Sequence, residues 1–291
     1  ALFWRDLRGA NLEFGFIFLG DLWQSALVHP IERLRYVARA GGFNQTDLTR
    51  EAADALASLW GEPADLVNAC RRMLSHHPLA GTLWVMAAKV LISMDARTAA
   101  FDFIKELETD RTSQNIVSSL PEQATIAVVG WPDLALTEIH KRQDICVRVI
   151  DAYGEGAGLA RALMQRGVRV EEVPLTGLGQ ACATSDVVIL EASVAGPTSF
   201  VAPSGSHAAA VCGMHSEKEV WVAVGHGRSL PKNLFSVVEH ALNQENSLEA
   251  DDELVALADV SHTVGPKDLR ESEIPLREDC AEMAELMRFG I

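Results

Sequence analysis

The chain has 291 residues, 48% of them hydrophobic, which is enough for one large or two smaller domains around a substantial core. Asp and Glu outnumber Lys and Arg by 40 to 25, and the formal charge of −15 excludes nonspecific nucleic-acid binding through a basic surface. Five scattered cysteines (Cys70, Cys146, Cys182, Cys212, Cys280) form no CxxC pair, so reduced thiols are expected and no disulfide or zinc framework.

The first 25 residues are apolar and aromatic (Phe3, Trp4, Phe14, Phe16, Phe18, Trp23), a segment expected to pack on the core or on a second subunit. The run Phe14–Leu19 is far too short to span a membrane. ALFWRDLRG lacks the basic-then-apolar pattern of a secretory leader, and a cytoplasmic location is expected. From Pro30 to Leu107 helical spacing dominates. Ile31, Leu34 and Val37 recur on one face. Thr46 or Asp47 would cap a helix through Ala52, Leu56 and Leu59. Further helices are expected at Ala64–Ser75, Thr82–Met94 and Ala96–Leu107. Glu108–Glu122 is polar and reads as a helix end plus a link.

The pattern then changes. Thr125–Gly130, Ile145–Ile150, Val168–Val173, Asp186–Leu190 and Glu219–Val224 are short Val- and Ile-rich runs, with Gly158–Arg166 helical between them. Such alternation predicts an α/β fold: a helical N-terminal domain (1–115), then a Rossmann-like domain with a mainly parallel sheet (116–291). Leu234–Leu242 and Cys280–Met287 read as helices, and Asn243–Asp252 as a mobile polar loop.

In a parallel sheet, ligands sit at the carboxyl ends of the strands. Gly154, Gly156 and Gly158 follow a strand and open a helix, where backbone N–H groups can hold an anion. Their G-x-G-x-G spacing departs from the dinucleotide fingerprint G-x-G-x-x-G, and a turn requiring positive φ is the alternative. Glu191 ends a strand and is placed to act as base or nucleophile, or to cap the next loop. Ser193, Thr198, Ser204 and Ser206 are hydroxyls able to donate to a phosphate, although loops are generally rich in them. His226 and Arg228 follow another strand; Arg228 is either an anion holder or a salt-bridge partner. His76, His77 and His215 form no metal-ligand pattern, and neither a metal nor a cofactor is expected.

Taken in order, HPLAGTLWVMAAKVL, TIAVVGWPDLA, VRVIDAYGEGAGLARALMQRGV, SDVVILEASVAG, the Ser204-Gly205-Ser206 loop and VWVAVGHGRSLPKNLF make the chain from about Pro30 resemble the initiation factor 2B alpha/beta/delta-like family. That family includes methylthioribose-1-phosphate and ribose-1,5-bisphosphate isomerases. The resemblance implies a helical domain on a Rossmann-like one, a homodimer or larger assembly, and a phosphorylated sugar or nucleotide held between the domains. With the strand-end residues read above, the candidate ligand residues are Gly130, Trp131, Tyr153, Gly154, Gly156, Gly158, Ser193, Gly205, Ser206 and Arg228, of which Gly158 and Gly205 match the family's motifs.

The departures from the family's isomerases are specific. Gly130-Trp131 lies where they carry a catalytic cysteine. Ser193 stands in place of their G-A-D aspartate, Tyr153 near their phosphate-holding arginine, and Ala202-Pro203 near their Asn-Lys pair. Without the cysteine–aspartate pair the proton transfer of isomerisation is not expected. One alternative is an enzyme on the same scaffold, an isomerase or an acyl- or CoA-transferase-like protein, with Glu191 and His226 as catalytic residues. Another is an NAD(P)-dependent oxidoreductase. The acid-free run Val194–Val201 is expected to be a surface covered by a second copy.

Overall fold

The structure, a computed structural model, describes residues 44–287 except 57, 58, 60, 153, 245 and 247. The N-terminal aromatic segment, the helix read at Ile31–Val37 and the ligand residue Tyr153 lie outside the described residues.

Among the described residues four helices come first: α1 (Gln45–Leu56), α2 (Pro63–His76), α3 (Gly81–Ile92) and α4 (Ala96–Glu108). The cap of α1 is Asn44 rather than Thr46 or Asp47. Asn44 Oδ1 accepts from the Asp47 amide at 2.8 Å, and the Asn44 amide donates back to the Asp47 carboxylate at 2.8 Å. α3 is apolar all round and buried from Gly81 to Ala88, so it forms the centre of the bundle. The polar stretch Glu108–Glu122 contains a further helix, α5 (Thr112–Ser119), where only a link was expected. Its single apolar pair, Ile116 and Val117, gave too little periodicity to read, and the helix is fixed by packing beside the sheet.

The strands are β1 (Thr125–Val129), β2 (Cys146–Ile150), β3 (Arg169–Val173), β4 (Val187–Glu191), β5 (Val194–Ala195), β6 (Ser199–Pro203), β7 (Glu219–Ala223), β8 (Asp252–Ala256), β9 (His262–Val264) and β10 (Leu269–Glu271). Seven form one sheet in the order β3-β2-β1-β4-β7-β9-β10, parallel except for β10. The main-sheet strands predicted from Val- and Ile-rich runs are all present. The order reverses between β1 and β4, which places a crevice at their carboxyl ends. α5 and α6 (Gly156–Gln165) cover one face of the sheet; α7 (Leu178–Thr184) and α8 (Ser206–His215) cover the other.

β5, β6 and β8 form a separate antiparallel sheet. It corrects two expectations. Val194, Ala195, Phe200 and Val201 are fully buried by the chain itself, so this run is not a surface for a second copy. Asp252, read as the end of a polar loop, starts a strand. Val194 and Val201 join the core of α1–α4, together with Leu234, Phe235 and Val238 from α9 (Lys232–Leu242), so this small sheet knits the helical region to the main sheet. Of the helix read at Cys280–Met287, the described residues Ala284–Met287 are helical (α10).

The turn of this hairpin is tight. A Cβ on Gly196 would lie 2.3 Å from Cδ1 of the buried Phe235 ring. Gly196→Ala is therefore expected to cost about 1–3 kcal/mol through overpacking. Urea unfolding should show a lower midpoint with an unchanged slope.

Candidate functional site

Glu191 is the last residue of β4, and the loop after β1 folds over it. Glu191 Oε1 accepts from the amides of Asp133 (3.1 Å) and Leu134 (3.3 Å). Oε2 accepts from Leu134 (3.0 Å) and Ala135 (2.6 Å). Arg228, from the loop after β7, donates through Nη1 to Glu191 Oε1 at 2.9 Å and to the Ala192 carbonyl at 2.8 Å. Its Nη2 donates to Asp133 Oδ1 at 2.7 Å. The Arg228 and Glu191 side chains are 5% and 8% exposed, so the crevice at the switch point is filled by an Asp133–Arg228–Glu191 triad.

The electrostatics follow from that burial. Burial and then Asp133 push the Glu191 carboxyl up to about 8, against the pull of Arg228 and the Ala135 amide. Burial acts the same way on Asp133, but Arg228 outweighs it and holds this carboxyl well below the usual range. One guanidinium thus faces two carboxyls, and the Asp133–Glu191 pair as a unit holds on to a proton more strongly than an isolated glutamate does. A raised carboxyl in a crevice is the signature of a tuned acid, but ion-pair networks inside a fold produce it too.

The helical region reaches the triad directly. The Gln45 amide at the start of α1 donates to Asp133 Oδ2 at 3.0 Å. The Ser193 carbonyl accepts from Gln45 Nε2 at 2.8 Å and from the Gly81 amide at 3.2 Å. Ser193 therefore meets α1 and α3 through its backbone. A Cβ on Gly81 would sit 3.0 Å from Arg228 Cα, so α3 comes that close only with glycine at its first position.

His226 faces α4 instead. Its Nε2 lies 2.9 Å from Glu106, which Lys89 also bonds, and its amide donates to Asp110 at 2.6 Å. Asp110 also accepts from the Thr112 amide and so ties α5 to this loop. Glu191 and Arg228 are brought together; His226 bonds a different set of carboxylates.

A second group surrounds the carboxyl ends of β1, β2 and β6. Gly130 and Gly154 have φ of +65° and +79°. The amide of Gly156, which opens α6, donates to Asp151 Oδ1 at 2.8 Å, and a Cβ at Gly156 would meet Asp151 at 2.9 Å. Gly158 accommodates Trp131: a Cβ there would lie 2.9 Å from the indole. Trp131 is 41% exposed and lies against α6, bordering a cavity of about 200 Å³ with Leu136, Leu159, Leu163 and Arg166, rather than filling the crevice. Gly205, at φ +101°, precedes α8. The amides of Gly205 and His207 donate to Glu253 Oε1 at 2.7 and 2.8 Å, and the Ser206 hydroxyl is buried without a partner.

Asp133, Gln45, Asp151 and Glu253 were missed in the sequence. Asp151 alone had a local signal, an acid ending a strand and preceding glycines. The others are joined to their partners across the chain. Among the described residues no group of three or more His, Cys, Asp or Glu is placed to hold a metal ion, and no helix is long and apolar enough to cross a membrane.

Neither a family model nor a curated protein matches the sequence. Solved structures do. A translation initiation factor eIF-2B from Pyrococcus horikoshii OT3 superposes with a TM-score of 0.70 at 14% identity, covering 82% of this chain and 96% of that one. The tetrameric eIF2B-beta2-delta2 complex from C. thermophilum gives a chain with a TM-score of 0.66 at 14% identity, covering 91% and 97%. The 5-methylthioribose 1-phosphate isomerase from Pyrococcus horikoshii OT3 gives 0.62 at 12% identity, covering 83% and 84%. The helical region packed on a mainly parallel sheet with its switch point between β1 and β4 is thus the fold that eIF2B subunits and methylthioribose phosphate isomerase share, and this chain has it.

Proposed function

We propose that this chain is a non-isomerising eIF2B-like protein, built from a helical unit (1–115) and a Rossmann-like unit (116–291), that binds a phosphorylated sugar or nucleotide and works as a homo-oligomer in the cytoplasm. The observation that carries the first part is the commitment of Glu191. Both its oxygens face N–H donors, Arg228 seals it, and no acceptor position is left for a substrate proton. The ligand reading draws support from the carboxyl ends of β1, β2 and β6, where α6 and α8 begin, Gly130 lies against Pro203 and Gly205 against Val129. The tetrameric assembly of a solved neighbour supports the oligomer.

An enzyme using Glu191 and His226 would first have to free Glu191 from Arg228, so this reading ranks below the first. The test joins two measurements on purified protein. Ribose 5-phosphate or AMP at about 100 times its dissociation constant should stabilise the fold by roughly 2.7 kcal/mol, a readable thermal shift. Methylthioribose 1-phosphate and ribose 1,5-bisphosphate should not be isomerised. Turnover of either would overturn the non-isomerising reading, and the absence of a shift with any phosphorylated probe would overturn the ligand. Light scattering should give at least a dimer; a single species at monomer mass would remove the oligomer.

A further inference from the structure

Leu159, Ala162, Leu163 and Arg166 recur three and four residues apart, so they share one face of α6 and its C-terminal cap. With Trp131 and Leu136 from the segment after β1 they border the cavity of about 200 Å³. The three leucines are buried and give it an apolar wall, whereas Trp131 and Arg166 are exposed at its rim. The indole reaches α6 only because position 158 is glycine, since a Cβ there would come within 2.9 Å of the ring. The fold thus makes room on the helix for a large ring and leaves that ring open to solvent.

Arg166 stands two turns beyond Gly158, about 12 Å along the helix axis. Among the described residues its guanidinium makes no hydrogen bond and no ion pair. It is not needed to cap α6. The Leu163 carbonyl accepts from the amides of Arg166 and Val168 at 3.0 and 3.1 Å, and the Met164 carbonyl from that of Gly167 at 3.0 Å. Asp133 also borders the cavity, but its carboxylate is already bonded to Arg228 at 2.7 Å and to the Gln45 amide at 3.0 Å. The cavity therefore joins an apolar wall, an open aromatic face and an uncommitted cation, in a chain whose formal charge is −15. Those features together fit an organic anion. A cavity of about 150 Å³ holds benzene, so this one has room for a single ring and a small polar group. One guanidinium matches one carboxylate through two parallel N–H···O bonds. A phosphate dianion would bring a second charge against the leucines, and Arg166 is the one cationic residue lining the cavity.

We propose that the cavity between α6 and the segment after β1 binds an aromatic monocarboxylate, its ring against Trp131 and the leucines and its carboxylate on Arg166. The indole offers the ring an offset or edge-to-face contact, and the leucines exclude water from its other side. Leu136, Leu159 and Leu163 belong to the core on the α5/α6 face of the sheet. The site is therefore independent of the phosphorylated-ligand reading, which rests on the strand ends where α6 and α8 begin.

The test is a ligand-observed NMR titration of the full chain with benzoate, with benzamide as its neutral isostere and with inorganic phosphate. The proteins are the wild type, Arg166→Met, Arg166→Lys, Trp131→Ala and Arg161→Met, each verified as folded by circular dichroism. Arg161 is exposed on the same helix but does not line the cavity, so it controls for general attraction of anions. Benzoate should bind the wild type and Arg161→Met alike. Arg166→Met should weaken it by about tenfold or more, the usual worth of a hydrogen bond to a charged group. Arg166→Lys, which keeps the charge without the fork, should fall between them, and Trp131→Ala should weaken benzoate and benzamide together. Benzamide should bind the wild type more weakly than benzoate and should not respond to Arg166→Met. No benzoate binding, or binding that Arg166→Met leaves unchanged, would overturn the proposal. An equal loss in Arg161→Met would overturn it as well, by showing attraction to the helix surface rather than to the cavity. Inorganic phosphate bound more tightly than benzoate, and lost in Arg166→Met, would overturn the carboxylate assignment.

Discussion

Replacement of Arg228 by methionine is expected to destabilise the protein by about 3–5 kcal/mol, the usual cost of removing one partner from a buried ion pair. Methionine restores the stem of the side chain but neither the charge nor the fork. The buried Glu191 and the 23% exposed Asp133 would then face each other with backbone amides, that of Gln45 among them, as their neighbours. Asp133 suffers more, because Arg228 is the cation that keeps it ionised. Domains are stable by roughly 5–15 kcal/mol, so the loss would consume much of the total. Arg228→Lys separates charge from geometry. Its single ammonium cannot span Glu191 and Asp133 as a guanidinium does, and it should fall between the wild type and Arg228→Met. Urea titration of the three proteins measures the series. A loss below about 1 kcal/mol in Arg228→Met would show that the triad contributes little to the fold, and Glu191 would return as a candidate base.

The triad also marks where reading the sequence stops. β1, β2, β4 and β7 were legible because strands covered on both faces need unbroken apolar runs, and Ile126–Val129 and Val187–Leu190 are fully buried. β8 was illegible because its burial is mixed, Leu254 being exposed and Val255 buried, and an acidic segment precedes it. Glu191 and Arg228 were legible as residue types at strand ends. That they bond each other was not, since 37 residues separate them and an arginine after a strand reads the same for a salt bridge and for a ligand. Asp133 lies 95 residues from Arg228, and Glu253 46 residues from His207. Pairings of that range are made by topology, and no local spacing encodes them. The glycine cluster carries a related lesson. Gly156 and Gly158 do lie at a helix N-terminus, but the space their missing side chains leave is taken by Asp151 and Trp131, so the signal for close approach was sound and its object was the chain itself.

Between about pH 5 and pH 8 the wild type is expected to lose stability as pH rises. A glutamate in the unfolded chain titrates near 4.5, whereas Glu191 in the fold is pushed up to about 8. Between those values the folded state holds a proton that the unfolded state has released. Raising the pH therefore favours unfolding, with a slope on the order of 1 kcal/mol per pH unit for one such proton. Asp133 acts with the opposite sign and in a lower window. Its folded carboxyl is held below the ordinary 3.8, so its contribution is complete above that value and is lost on further acidification. Burial also raises Asp279 above its ordinary 3.8, so it acts with the same sign as Glu191. Glu191→Gln isolates the main group. Its amide oxygen can keep one set of N–H donors, but its NH₂ must face the other, so the variant should be less stable than the wild type at pH 5, by about 1–3 kcal/mol. It cannot ionise, however, and the gap between the two proteins should narrow steadily toward pH 8. Urea midpoints measured at each pH unit would give both curves. If the wild type held constant or gained stability across that range, or if Glu191→Gln declined in parallel with it, Glu191 would be an ordinary ionised carboxylate paired with Arg228, and its place in the proton balance of the crevice would have to be given up.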